Sequence, residues 1–216
     1  MEFTDLEKLI KTRRSIRRWK EGVVPEEAVL KALELAAWAP NGGNQQNWKF
    51  TVVTNKSVIN AVADAVQTKV NMMTDWPEAE AFGEEVTRWR SNASFFRAAP
   101  VCIAVYTWAY ESVADKLLNV RVTKDKAAQP IIDARRSANS SLQSASAAMA
   151  YLLLALHAQG LGAIWMTGPL VARAEIEKVL GASPEQILVG LIPVGYPDEQ
   201  PEKTRKPLAE VVEFLR

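Results

Sequence analysis

Four short runs rich in aromatic and β-branched residues, each separated from the next by helical periodicity, constrain the fold of this 216-residue chain most. They are 48–54 (Trp-Lys-Phe-Thr-Val-Val-Thr), 100–108, 163–167 and 186–196, and their composition predicts strands. Between them the pattern predicts helices. A short one covers about 5–11, and a second opens at Pro25-Glu26-Glu27 and runs to about Ala39. Proline suits the first helical turn, and acids there complement the dipole; Pro40 and Gly42-Gly43 then stop the helix. Val58, Ile59, Val62 and Val66 predict a helix over 55–67. Further helices are expected over about 78–92, over 130–157 as the longest, and over 171–180, which Gly181 ends. The last segment, Leu-Ala-Glu-Val-Val-Glu-Phe-Leu from Leu208, suits either a strand or an amphipathic helix. Strands alternating with helices predict a layered α/β or α+β domain, a single one spanning 1–216.

The bulk numbers exclude several classes. Lysine and arginine total 26 against 25 acidic residues, a formal net charge of +1. A nucleic-acid binder presents a broad basic face, so nucleic acid is not an expected partner. The longest mostly apolar run, 145–156, is shorter than the roughly 20 residues that span a bilayer. No apolar leader follows Met1, so a cytoplasmic location is expected, with no membrane partner. Cys102 and His157 are the only residues of their kinds, which leaves no metal-ligand spacing. His157 lies in an apolar helical run, far in sequence from any activated serine, which suits a core or interface histidine. Gly160-Leu161-Gly162 follows a helix and lacks a third glycine, unlike a dinucleotide fingerprint. With no nucleophile, metal or acid/base pair evident, an enzyme of this sequence needs a bound cofactor for its chemistry.

Against the neutral background stand two basic clusters, Arg13-Arg14-Ser15-Ile16-Arg17-Arg18 and Lys203-Thr204-Arg205-Lys206. Concentrated local charge suits a concentrated anion such as a phosphate monoester, and arginine forks match its oxygens. Between the clusters lies an amide-rich loop, Pro40-Asn41-Gly42-Gly43-Asn44-Gln45-Gln46-Asn47-Trp48. Side-chain amides offer both donors and acceptors, as the edge of a heterocycle with alternating carbonyl and N–H groups requires. Ser137, Ser141, Ser144, Ala148 and Ala155 place small side chains along one face of the long helix, which permits close helix approach.

The order Arg13-Arg14-Ser15-Ile16-Arg17, then 39–50, then Gly160-Leu161-Gly162-Ala163-Ile164-Trp165-Met166-Thr167-Gly168, then Lys203-Thr204-Arg205-Lys206-Pro207-Leu208 resembles the nitroreductase family of FMN-dependent oxidoreductases. The resemblance spans 5–216. Two positions depart from the family pattern. Asn41 stands where serine is usual after proline, and Asn47 replaces a proline before tryptophan.

The resemblance implies an α+β, three-layer fold with a central, mostly antiparallel sheet flanked by helices, built as an intertwined homodimer with FMN at the interface. Arg13, Lys203 and Arg205 would bind the FMN phosphate, with Arg14 in the same cluster. Ser15 would hydrogen-bond near the phosphate or ribityl end, and Arg17 would reach the pyrimidine edge. Asn41, Gly42 and Gly43 would come from the other subunit, braced by Asn44 and Gln46. Trp165, Met166, Thr167 and Gly168 would run along the ring, and Asn92 would meet the ribityl or ring edge. The segment after Pro207 would cross onto the partner. The implied reaction is ping-pong transfer from NADH or NADPH through flavin to a nitroaromatic, quinone or similar small-molecule acceptor. No catalytic side chain is required. A 70–97 excursion carrying Trp76, Phe82 and Trp89 would cover the active site. Dehalogenation or flavin breakdown on the same fold, and a non-enzymatic phosphate- or nucleotide-binding dimer, are the competing readings.

Overall fold

The structure, a computed structural model, describes residues 2–216. Its centre is a sheet of four strands, β1 (Trp48–Val53), β2 (Val101–Thr107), β3 (Gly162–Ala163) and β4 (Ile187–Gly195), in the order β1-β2-β4-β3 with every pairing antiparallel. β2 is buried along its whole length, and its alternate residues enter two different cores. Cys102, Ala104 and Tyr106 face α3 (Lys56–Thr74) and α8 (Arg173–Val179), beside Ile59, Val62, Val66 and Ile176. Val101, Ile103 and Val105 face α2 (Glu26–Ala36) and α7 (Ser140–Ala158), beside Val29, Ala32, Met149 and Leu152. Side chains of successive strand residues point to opposite faces, so a strand buried on both sides needs a helical layer on each. The fold is therefore α+β in three layers, as expected. Desolvation pushes the buried Cys102 thiol up to about 12, which leaves it an inert core residue.

The expected third strand, 163–167, is interrupted. Continuing the register from Ala163↔Val194 to Met166↔Leu191 sets Pro193 opposite Ile164. Leu191 exchanges both of its backbone bonds with Met166, at 2.9 and 3.0 Å. Pro193, two residues along, faces the same neighbour with no N–H to donate. The segment keeps its strand register and loses its ladder there.

The expected helix over 130–157 is two helices, α6 (Gln129–Ala138) and α7, divided at Asn139. Asn139 adopts the left-handed conformation (φ 43°, ψ 65°), and its side chain accepts a hydrogen bond from Leu142 N at 3.1 Å. Asparagine tolerates that conformation and caps a helix start. Asn139→Ala should lower stability by about 1–2 kcal/mol, combining a lost cap with a strained backbone; chemical denaturation of the variant checks this.

Residues 109–138 hold a feature that hydrophobic periodicity missed. Ser112 and Asp115 form a capping box that starts α5 (Val113–Arg121), and Arg135 of α6 reaches back to Asp115 through two bonds of 2.6 and 2.9 Å. The pair makes one arm of α5 and α6. In the 70–97 region α3 extends to Thr74, a 3-10 segment covers Pro77–Phe82, and α4 (Gly83–Asn92) follows. The C-terminal segment is neither strand nor α-helix. It holds one 3-10 turn, Leu208–Glu210, and leaves Phe214 and Leu215 76% and 92% exposed. Among the described residues no helix is long and apolar enough to cross a membrane.

Candidate functional site

The basic turn is built into the sheet. After α1 (Phe3–Thr12) the chain turns at Arg13, and Ser15 pairs in parallel with Ala163, with Ile16 N donating to Ala163 O at 3.2 Å. Trp19 Nε1 donates to Gly162 O at 2.9 Å, and Lys20 N to Tyr196 O at 2.9 Å. Two glycines make this docking possible. A Cβ on Gly162 would lie 2.8 Å from Ile16 Cγ1, and one on Gly195 would lie 2.8 Å from Trp19 Cδ1. The Glu199 carboxylate, unmarked by any sequence signal, accepts hydrogen bonds from the backbone N–H groups of both Arg17 and Arg18. It closes the turn from a segment some 180 residues away, a link that spacing does not reveal.

This packing gathers Arg13, Arg14, Lys203 and Arg205 around one cavity of about 480 Å³, with Ile10, Leu153 and Trp165 among its apolar walls. None of the four cations is paired with a carboxylate among the described residues. Arg13 is held below its ordinary pKa first by burial, then by the neighbouring charges of Arg205 and Arg14. Like charges brought together without a counter-ion are costly, and a bound dianion relieves them. His157 sits at the same end of α7. Its Nε2 is 2.9 Å from Thr12 Oγ1, and burial followed by Arg13 and Arg14 lowers its pKa. It is a half-buried neighbour of the cationic cluster rather than a core residue.

The other expected site residues lie elsewhere on the protomer. Ser15 contributes backbone to the sheet, and Arg17 carries the N–H held by Glu199. Met166 turns its side chain into the core beside Ile164, so only its backbone is available to a ligand. Thr167 lines a second, larger cavity, and neither it nor Gly168 borders the first. Asn92 donates to Arg88 O within α4.

Asn41, Gly42, Gly43, Asn44 and Gln46 form a separate loop. Asn41 braces it, donating to Ala39 O (3.2 Å) and accepting from Gln46 N (2.9 Å). Gly42 N donates to Ser144 Oγ at 3.3 Å. Gly43 takes φ 59°, and a Cβ there would lie 2.8 Å from the Tyr110 hydroxyl. Asn44 and Gln46 also hold positive φ, at 51° and 49°, and touch each other through their amides (3.4 Å). Backbone of this kind persists where surroundings over-determine it, often at ligand sites. Asn47, 3% exposed, explains the missing proline: its amide donates to Trp108 O (2.7 Å), and its carbonyl accepts from Thr107 Oγ1 (2.7 Å). Side-chain hydrogen bonds fix the loop where the family pattern uses a ring.

The three-layer fold and a cavity lined by four cations and an apolar wall define an α+β protein with a concentrated cationic site. The chain belongs to the Nitroreductase family, whose model it matches over residues 10–196. It is 31% identical over 200 residues, 91% of this chain and 80% of the other, to a protein of Methanothermobacter thermautotrophicus provisionally named NADH dehydrogenase/NAD(P)H nitroreductase. It is 29% identical over 207 residues, 94% of each chain, to an iodotyrosine deiodinase of Thermotoga neapolitana. Among solved structures it resembles a BluB-like flavoprotein from Clostridium difficile 630 (28% identity, TM-score 0.84, all of both chains). It also resembles a nitroreductase-type protein with FMN from Desulfovibrio desulfuricans (25% identity, TM-score 0.69, 100% and 99% of the chains).

Proposed function

We propose that this protein is a homodimeric, FMN-dependent oxidoreductase that takes electrons from NADH or NADPH and passes them to a small organic acceptor such as a nitroaromatic or quinone. The observation that carries the reading is the four-cation pocket. Arg13, Arg14, Lys203 and Arg205 present guanidinium and ammonium donors with no carboxylate partner among the described residues. That donor set suits a phosphate monoester, and the apolar wall beside it, including Trp165, suits a flat ring. FMN bound there supplies hydride acceptance and onward electron transfer.

The chain's own residues do the rest. Arg13, Lys203 and Arg205 hold the phosphate, with Ser15 near its ribityl end. The backbone of 165–168 would lie along the ring, where an N–H donor would stabilise negative charge on it. Arg17 would supply positive charge at the pyrimidine edge. The 41–46 loop lies apart from the pocket of its own protomer, which fits its service to the partner's site. Trp38, 80% exposed, and the bare apolar tail from Leu208 to Leu215 are the kind of surface a second subunit covers. The 70–97 excursion, with Trp76 and Phe82 exposed, is proposed as a cover for that site. A deiodinase relative aligning over 94% of the chain favours reductive dehalogenation as a second reading.

The absorbance spectrum of the purified protein, before and after anaerobic NADH or NADPH, tests the proposal. Flavin bands that bleach with either nicotinamide are expected, with FMN as the released cofactor. Absence of flavin after reconstitution would reject it.

A further inference from the structure

The larger cavity, about 880 Å³, lies where the α5–α6 arm closes over the ends of β2 and β4. Trp108, Leu118, Ile131 and Val189 give it apolar walls, a volume and lining suited to an aromatic molecule. Its charged lining is Glu111, Asp115, Arg135, Arg136 and Arg173. Arg136 and Arg173 both line the cavity, from α6 and α8, and neither has an ion-pair partner among the described residues. Arg135, their neighbour, differs: Asp115 neutralises it and fixes the arm. Glu111, which accepts from Asn119 Nδ2 at 3.1 Å, is one carboxylate against the guanidinium groups of Arg136 and Arg173, so the lining keeps a net positive charge. Guanidinium groups match a planar carboxylate by their paired N–H geometry.

Position connects this cavity to the flavin site. Thr167, in the stretch proposed to run along the ring, lines it.

We propose that this cavity binds an aromatic carboxylate, with Arg136 and Arg173 as the groups that recognise its charge. On the proposed function, on which the role as acceptor site rests, the acceptor is then an anionic aromatic compound.

The test uses two probes that share a ring and a nitro group and differ in charge, 4-nitrobenzoate and 4-nitrobenzyl alcohol. Calorimetric titration of the purified protein reads binding without turnover. The benzoate should bind about tenfold more tightly or better, as one charge-assisted pair provides. Arg136→Gln together with Arg173→Gln should erase that preference while alcohol binding stays unchanged. Lys178→Gln, an exposed cation outside the cavity, controls for general charge loss and should preserve the preference. Equal binding of the two probes, or a preference that survives the double substitution, would overturn the assignment. The NADH-driven steady state should repeat the pattern in KM at constant kcat. Carboxylate-selective binding in a protein that never takes up flavin would uphold this site and reject the redox reading.

Discussion

Arg205→Ala is expected to leave the protein folded and to weaken FMN binding by roughly tenfold to a hundredfold, the worth of one charge-assisted phosphate contact. The side chain is exposed, and among the described residues its one hydrogen bond is to the adjacent Thr204 carbonyl, at 3.0 Å. Its charge also lowers the pKa of Arg13, so the two repel each other. Removing it should therefore leave the apoprotein at least as stable as before, while depleting flavin during gel filtration. Arg205→Lys keeps the charge and loses the two-pronged geometry, so its occupancy should fall between the two. Flavin content per protomer, set beside the thermal midpoint of the apoprotein, separates loss of the ligand from loss of the fold. Full occupancy in the alanine variant would remove Arg205 from the phosphate site.

Gly162→Val should be the most disruptive single change near the site. The new Cβ would meet not only Ile16 Cγ1 at 2.8 Å but also Ile16 Cβ at 3.0 Å. A Cβ cannot swing aside as a side-chain tip can, so the backbone of the basic turn has to move. Overpacking of this kind costs about 1–3 kcal/mol. The carbonyl of Gly162 also anchors Trp19, so the shift should spread through 15–20 and pull Arg13 out of register with Arg205. Both stability and FMN affinity are then expected to fall. Combining Gly162→Val with Ile16→Ala should cost less than the sum of the two changes, because the second makes room for the first. Strict additivity in denaturant titrations would show that the Ile16 contact is not the cause.

The features written in local sequence are those that local physics controls. β2 was legible because seven successive residues suited to burial leave no solvent face, and α2 because Pro25, Glu26 and Glu27 mark its start. The break at Asn139 was missed because apolar periodicity runs on through it, while the cause is one asparagine's backbone conformation. α5 carried a signal in Ser112 and Asp115, a cap that periodicity does not weigh. The lapse in the 163–167 strand was not visible at all. It depends on Pro193 of a different strand facing Ile164 across the sheet.

The candidate site divides in the same way. The order of the basic and amide-rich segments, with the Gly-Leu-Gly run between the loop and the second cluster, determined the family from sequence alone, because motif chemistry and spacing are properties of the chain. Only the folded protein decided which of those residues meet. It brought Arg13 and Arg14 against Lys203 and Arg205, set Glu199 beneath the Arg17–Arg18 backbone, and turned the Met166 side chain into the core. It also brought Arg136 and Arg173 to one apolar cavity from helices that no motif connects. Charge, hydrogen-bonding capacity and turn propensity belong to single residues, and a sequence states them. Convergence depends on how the layers pack, which arises only when distant segments share one core.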